Sequence, residues 1–153
     1  MKLFPWQKPK EYFKPEERQA LLEAIHTAEQ RTSGEVRVFV ESHCRFVDPL
    51  DRAAEIFHQL KMDQTADRNA VLVYVAMKDR QLAVFGDEGI HKKVGDEYWN
   101  VELKKMIAEF NRENYSKGIQ KIISDIGEAL HTHFPYNNET DKNELPDDIV
   151  FGR

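Results

Sequence analysis

The sequence predicts an α/β fold, a three-layer α/β/α sandwich around a small mixed sheet. A nearly continuous apolar run rich in valine extends from Asn69 to Met77, and a second apolar run follows at 81–85 after three polar residues. Two such runs with a short polar gap indicate a β-hairpin. Because the first run is apolar on both faces, we expect the hairpin to lie inside a sheet that helices cover on both sides.

A strand, a helix and a strand in succession support the same fold. Residues 35–42 alternate between valine and other side chains, as a strand does, and Asp48 and Pro49 have the residue types of a helix N-cap and first helical residue. The apolar face of this helix is expected to consist of Leu50, Ala53, Ala54, Phe57 and Leu60. The β-α-β order predicts two parallel strands whose starts are adjacent. The mixed second face of the first strand predicts a position nearer the sheet edge.

Three further helices are predicted from apolar spacing and capping residues. They are 15–31, 96–113 with Asp96 as N-cap, and 116–133 with Ser116 as N-cap. A basic loop is expected at 91–93, between the hairpin and the third helix. Two glycines interrupt the last helix, and a buried glycine there favours a close approach of the helix to the sheet.

The length of 153 residues fits one domain with a substantial core. We predict an extended lead-in at 1–14, the domain at 15–135 and a polar tail at 136–153. The tail ends in a small apolar group, Ile149, Val150 and Phe151, and is expected to be loosely ordered or laid across the surface.

Composition excludes several classes of function. The net charge of −5 argues against a nucleic-acid partner, and the single cysteine, Cys44, excludes a disulfide framework and a cysteine-rich zinc site. The sequence contains no run that approaches the ~20 apolar residues of a membrane span, and the start lacks the apolar stretch of a signal peptide. These observations predict a cytoplasmic protein without a membrane partner.

The open end of the hairpin is the candidate site. Antiparallel pairing brings the start of its first strand, Asp67-Arg68-Asn69, beside the end of its second, Gly86-Asp87-Glu88-Gly89, and the parallel strand adds Glu35 to the same edge. Carboxylate and amide oxygens are the ligands of hard cations such as Ca²⁺ and Mg²⁺. The predicted metal ligands are Glu35, Asp67, Asn69, Asp87, Glu88 and, as an additional ligand, Asp96. The alternative is that these are solvated turn residues, since aspartate and glycine favour turns for backbone reasons.

Three segments carry a resemblance to a known family. They are AEQRTSGEVRVFVES at 28–42, DRNAVLVYVAMKDRQLAVFGDEGI at 67–90 and YSKGIQKIISDIGEALHTHFP at 115–135. Together they resemble the TPM domain, found in a thylakoid-lumen protein of photosystem II repair and in many bacterial proteins. The resemblance covers about 16–135. Its more specific parts are TSGE at 32–35 and Arg68-Asn69 with the apolar strand that follows them. It implies an α/β/α sandwich with a small mixed sheet, and Gly86-Asp87-Glu88 matches the GxE-type segment of the family.

Three functions follow from these observations. The resemblance implies divalent-cation binding, calcium especially, and acid phosphatase activity in some members. A metal held by the carboxylates would polarise a phosphoryl oxygen and activate water, with Arg68 stabilising phosphate charge, although the sequence identifies no catalytic nucleophile. The third hypothesis is a non-catalytic module that binds a protein partner.

Overall fold

The computed structural model describes residues 12–111, 114–136 and 149–152. This part of the chain contains five helices, four strands and a short 3₁₀ helix. In chain order they are α1 (Pro15–Glu29), β1 (Glu35–Glu41), α2 (Pro49–Gln59), the 3₁₀ helix (Met62–Gln64), β2 (Ala70–Ala76), β3 (Gln81–Gly86), α3 (Glu88–Val94), α4 (Asp96–Asn111), α5 (Tyr115–His133) and β4 (Ile149–Phe151).

The four strands form one mixed sheet in the order β3-β2-β1-β4. β1 and β2 are parallel, with Glu35 opposite Ala70, so the predicted adjacency of the two strand starts is confirmed. β2 and β3 form the predicted antiparallel hairpin, in which Val71 lies opposite Gly86. The start of β2 and the end of β3 therefore meet at one edge of the sheet, as the candidate site requires.

Helices cover both faces of the sheet, which confirms the three-layer architecture. The valine face of β1 and β2 packs with α1, α4 and α5 and with Ile90 of α3. The opposite face packs against α2 and the 3₁₀ helix through Phe57 and Met62, both of which have 0% exposure. Both central strands are buried along their whole length because each face has a helical layer on it.

The end of the tail differs from the prediction. Ile149–Phe151 is not loosely attached but forms β4, which pairs in parallel with Val38–Val40. β1 is consequently an inner strand of the sheet, and the expectation that it lies nearer the edge was wrong. Its polar residues Arg37 and Glu41 are buried at 9% and 5% exposure. The sequence pattern missed β4 because three residues are too few for a strand alternation to be recognised.

The predicted basic loop is a helix. Residues 91–93 lie in α3, whose N-cap is Asp87 and whose last turn carries His91, Lys92 and Lys93. Basic residues are favourable there because the C-terminal end of a helix carries a partial negative charge. Seven residues with one buried apolar side chain, Ile90, give too short a pattern to predict a helix.

Several helix ends, and the buried face of α2, also differ from the predictions. α1 ends at Glu29, Asp96 is the first residue of α4, and the N-cap of α5 is Asn114 in place of Ser116, which is buried within the helix. In α2 the capping by Asp48 is confirmed, but Leu50 is 44% exposed. The buried residues of α2 are Ala53, Ile56 and Phe57.

The glycines of α5 allow it to approach other helices. A Cβ atom on Gly127 would lie 2.7 Å from the Cβ atom of Ala28 in α1, and one on Gly118 would lie 2.9 Å from the Cβ atom of Glu109 in α4. The close approach that the sequence suggested therefore exists, but its partners are α1 and α4 and not the sheet.

Parts of the predicted organisation lie outside the described residues. These parts are the lead-in before Tyr12, most of the polar tail and the expected end of α4 at Glu113. Among the residues that the structure describes, none of the helices has the length and apolar character needed to span a bilayer.

The packing of β4 yields a stability prediction. Ile149 is 3% exposed and belongs to the main core cluster, so Ile149→Ala should lower the free energy of unfolding by about 2–3 kcal/mol. The matched control is Ile107→Ala on α4, where the isoleucine is 40% exposed and the change should be about 0.5 kcal/mol or less. Urea unfolding measures both. Equal effects of the two substitutions would contradict the assignment of β4 to the core.

Candidate functional site

The open end of the hairpin is built around a close backbone contact. Arg68 has a φ of 51°, and its carbonyl oxygen accepts hydrogen bonds from the amides of Gly89 at 2.8 Å and Ile90 at 3.3 Å. A Cβ atom on Gly89 would lie 2.0 Å from the carbonyl oxygen of Asp67. A glycine is therefore required at position 89, because any side chain would separate α3 from the turn that enters β2.

Arg68 and Asp87 form a bidentate ion pair across this contact. The Nε atom of Arg68 donates to Oδ2 of Asp87 at 2.7 Å, and Nη2 donates to Oδ1 at 2.9 Å. The Nη1 atom of Arg68 also lies 3.4 Å from Oε1 of Glu88. The hydrogen bonds to Asp87 raise the pKa of Arg68 above its usual value. The structure therefore brings together Arg68, Asp87 and Glu88, three of the residues that the sequence singled out.

Asp87 has a second role as the N-cap of α3. Its Oδ1 atom accepts from the backbone amide of Glu88 at 2.8 Å, and the residue is only 4% exposed. The next two amides of α3 donate to Arg68, so the first amides of the helix have partners within the protein. Both carboxylate oxygens of Asp87 are engaged by groups of the chain itself.

Glu35 and Asn69 lie deeper and on different sides of the sheet. Glu35 is 3% exposed and, by strand alternation, shares the face of Phe39, which packs with α2. Asn69 is 1% exposed, and its Nδ2 atom donates to Oγ of Ser33 at 3.1 Å. The amide of Ser33 in turn donates to the carbonyl of Phe134 at the end of α5. The starts of the two strands are adjacent, but their side chains enter different layers.

The TSGE segment joins the strands to α5. The hydroxyl of Thr32 lies between the carbonyl oxygens of Leu130, at 3.1 Å, and Phe134, which share its one hydrogen as acceptors, and it accepts from the amide of Gly34 at 3.0 Å. A Cβ atom on Gly34 would lie 2.7 Å from Leu130. These contacts explain the threonine and the glycine of the segment by hydrogen bonding and packing.

The two remaining predicted ligands, Asp67 and Asp96, are exposed. Asp96 lies at the start of α4, where its Oδ1 atom is 3.2 Å from Nε2 of His91. The Nε1 atom of Trp99 donates to Nδ1 of the same imidazole at 2.9 Å. With Nδ1 accepting this bond, the neutral form of His91 carries its proton on Nε2, which lies beside the carboxylate of Asp96. His91 is therefore a bridge between Asp96 and Trp99, and Nε2 has no free lone pair for a metal in this arrangement.

The carboxylates do not form a preorganised metal centre in this structure. Across residues 12–111, 114–136 and 149–152, no three side chains of histidine, cysteine, aspartate or glutamate are grouped so that they could hold a metal ion. A cation that binds here must therefore rearrange the contacts of Arg68 or draw on backbone oxygens.

A cleft of about 630 Å³ adjoins this cluster, and we call it the β3 cleft. Its floor is the end of β3, and its walls come from α2 and α4. The apolar and aromatic lining is provided by Leu50, Val84, Phe85 and Trp99. Its charged and titratable lining is provided by His58, Arg68, Asp87, Glu88, His91 and Asp96. This volume falls within the range of small-molecule and cofactor pockets, about 300–1,000 Å³.

The aromatic part of the β3 cleft was not predicted. Trp99 lies in the segment predicted as the third helix and His91 in the predicted basic loop, yet the two side chains form a hydrogen-bonded pair. A Cβ atom on Gly86 would lie 2.3 Å from the indole of Trp99. The sequence signal was the glycine itself, because a glycine that ends a strand often marks the close approach of another group.

A second buried polar cluster lies at the other end of the central strands. Arg52 donates to both oxygens of Glu41, at 2.9 and 3.0 Å, and the hydroxyl of Tyr74 also donates to Glu41. Burial, followed by the hydrogen bond to Glu41, raises the pKa of Tyr74, and the hydrogen bond to Glu41 raises that of Arg52. Every charge in this cluster has a partner, which is the arrangement expected of a structural support.

The two roles of Asp87 can be separated by substitution. Asparagine is as good an N-cap as aspartate but cannot form the bidentate ion pair, whereas alanine provides neither interaction. Asp87→Ala should lower the free energy of unfolding by about 2 kcal/mol or more, and Asp87→Asn by a smaller amount. Chemical denaturation measures both, with the exposed Glu97→Ala as control. Equal losses for the two Asp87 variants would contradict the capping role.

Comparisons with known proteins give a consistent result. The family model of the TPM domain matches residues 7–129. The NMR structure of BA42 protein from the psychrophilic bacterium Bizionia argentinensis is similar at 39% sequence identity, with a TM-score of 0.85, over 95% of this chain and 99% of that one. A search of curated proteins found no match.

A more distant structure shares the fold. It is the solution structure of the N-terminal domain of cg2496 protein from Corynebacterium glutamicum, with 12% identity, a TM-score of 0.56, and coverage of 88% of this chain and 80% of that one. At this identity the likeness concerns the fold alone. The family match spans most of the sequence, and the BA42 likeness extends over nearly all of both chains. The chain therefore belongs to the TPM domain family.

Proposed function

We propose that this protein binds a divalent cation, Ca²⁺ or Mg²⁺, at the carboxylates around Arg68. The observation that supports the proposal is that this position already binds a positive charge. Asp87 and Glu88 contact the guanidinium, and Asp63 acts on it electrostatically. Two carboxylates contact this one guanidinium, so the cluster has an excess of negative charge that a divalent cation would neutralise better than Arg68 does.

Binding requires an exchange of cations. The guanidinium of Arg68 occupies both oxygens of Asp87, so the metal must displace it before Asp87 can become a ligand. The side chain of Arg68 is 39% exposed and can turn towards solvent in the β3 cleft. Glu88 would be the second ligand, and the exposed Asp67 and Asp96 would supply further oxygens. Because the exchange costs the ion pair, we expect weak affinity for the metal.

The buried members of the predicted ligand set would need a larger change. Glu35 is only 3% exposed, and Asn69 is held by Ser33. The Oδ1 atom of Asn69 has no hydrogen-bond donor among the described residues, so this oxygen keeps its ligand capacity. Its participation remains a prediction, as does that of Glu35.

A cation-dependent phosphatase is the second candidate. The same exchange would release Arg68 into the β3 cleft, where a guanidinium can bind two oxygens of a phosphate. The bound metal would polarise a phosphoryl oxygen of the same group. This activity rests on cation binding, so it is tested with the metal-loaded protein and a generic phosphate ester such as p-nitrophenyl phosphate.

The exchange predicts an unusual effect of a charge-removing variant. Arg68→Met removes the internal competitor and should tighten Ca²⁺ binding about tenfold, whereas Asp87→Asn should weaken it by a similar factor. The control is Arg45→Met, which removes the same charge from an exposed position beyond the other end of β1 and should leave the affinity within about twofold. Backbone amide shifts during Ca²⁺ and Mg²⁺ titrations measure all three.

The location of the shifts is the second criterion. They should be centred on 67–69 and 87–89 in the wild-type protein. Saturable shifts that lie elsewhere, or equal affinities of the Arg68→Met and Arg45→Met variants, would contradict the proposed site. If the metal binds there but p-nitrophenyl phosphate is not hydrolysed, cation binding stands and the phosphatase candidate is wrong.

A further inference from the structure

β3 is the outermost strand at one edge of the described sheet. The amide of Asp87 donates to the carbonyl of Ala70 at 2.9 Å, so these two residues form a hydrogen-bonded pair of the antiparallel ladder. Such pairs alternate along the ladder, and Phe85 and Ala83 therefore direct their backbone groups towards β2. Gly86 and Val84 direct their amides and carbonyls away from the sheet.

Val84 and Gly86 belong to the lining of the β3 cleft, and Val84 is only 6% exposed, so we infer that their outward groups form a recessed edge at the bottom of the cleft. The edge of a sheet with free amides and carbonyls can pair with an added strand. In the described part of the chain, the sheet has no strand beyond β3. The cleft therefore has a floor of backbone donors and acceptors at the spacing of a β-strand.

The two walls of the cleft are apolar and lie on opposite faces of β3. The indole of Trp99 rests on Gly86 on the side of α4. On the side of α2, Phe85 packs against Phe57 at a ring centroid distance of 4.8 Å, and the exposed Leu50 extends the wall. Because side chains of a strand point alternately to the two faces, an added strand would place every second residue on each wall.

The charge at one end of the cleft favours a basic ligand. Arg68 binds Asp87 with two hydrogen bonds and lies only 3.4 Å from Glu88, and His91 lies 3.2 Å from Asp96. The side chains of Glu88 and Asp96 are nevertheless 59% and 91% exposed, so both carboxylates are accessible to a ligand. Lysine or arginine at the end of a bound segment would pair with them.

We propose that the β3 cleft binds an extended peptide segment of a partner protein as an additional strand on β3. The segment has apolar side chains at alternate positions, which contact Trp99 on one wall and Phe85 on the other, and a basic residue beside Glu88 and Asp96. Its backbone pairs with the outward groups of Val84 and Gly86.

A single extended chain fits this site better than a second copy of the protein. The edge of β3 is the floor of a cleft between α2 and α4, and the same edge in another copy is equally recessed. Two recessed edges cannot approach within the ~4.8 Å that separates paired strands. A flexible segment without flanking helices meets no such obstacle.

The first experiment measures amide hydrogen exchange in the full chain without a ligand. Ala83 and Phe85 should exchange slowly because they pair with β2, whereas Val84 and Gly86 should exchange faster by about tenfold or more. Slow exchange of Val84 and Gly86 in the monomer would mean that another part of this chain covers the edge. Slow exchange in a dimer would mean that a second copy does. Either result overturns the proposal.

The second experiment selects ligands from a phage-displayed library of random linear peptides, with EDTA present so that the outcome is independent of cation binding. The enriched peptides should alternate apolar residues, contain lysine or arginine near one end, and slow the exchange of Val84 and Gly86. N-methylation of single peptide amides should abolish binding when the methylated residue is one of the alternate residues that pair with β3. Methylation of the residues between them should have little effect on binding. Absence of enrichment, or binding without slowed exchange at these amides, would overturn the proposal.

A matched pair of variants tests the walls. Leu50 lines the cleft at 44% exposure, and Ile107 lies outside it at 40% exposure on α4. Leu50→Ser should weaken the binding of a selected peptide about fivefold or more, and Ile107→Ser should leave it unchanged. Since both side chains are partly exposed, the stability of the two variants should be similar. Equal peptide affinities of the two variants would contradict the cleft as the binding site.

Discussion

The ion pair between Arg68 and Asp87 is the interaction on which the rest of the site depends. It joins the turn before β2 to the first residue of α3, where Gly89 permits the backbones to touch. α3 in turn places His91 against Trp99, and Trp99 rests on Gly86 at the end of β3. The wall of the β3 cleft is thus connected to Arg68 through a continuous series of contacts. A substitution of Arg68 should alter the position of Trp99, because each step of this series is a direct contact.

The proposed exchange would give the carboxylate of Asp87 two alternative partners, the guanidinium of Arg68 and a metal ion. With Arg68 in place, Asp87 is neutralised and buried, and α3 is capped. A metal ion that replaced the guanidinium would preserve the neutralisation and leave Arg68 exposed in the cleft. In the proposed exchange the ion pair and the metal would compete for the same oxygens, so the strength of the pair would set the affinity for the metal. A cation and an anionic ligand of Arg68 would then bind cooperatively.

Much of the fold could be predicted because its strongest patterns are local. The two-sided apolar run of β2 and the alternation of β1 specify a buried parallel pair, and Pro49 after Asp48 specifies a helix start. α3 and β4 were missed because seven and three residues hold too few periods of any pattern. In the site, the convergence of Asp67-Arg68-Asn69 with Asp87 and Glu88 followed from topology. The pairing of Arg68 with Asp87 could not be predicted, because it depends on side-chain directions that a strand register does not give.

β4 pairs with β1 although Ile149 follows Val38 far later in the chain. Closing so long a loop costs more chain entropy than pairing neighbouring segments, so we expect this contact to form after the local ones. During synthesis, β1, β2 and β3 can assemble with α1 and α2 while one edge of β1 still has no neighbour. That edge is a valine-rich strand able to pair with a neighbouring nascent chain. The arrival of β4 therefore ends a period in which the growing protein is exposed to misassembly, and substitutions that delay it should lower the yield of folded protein more than they lower its final stability.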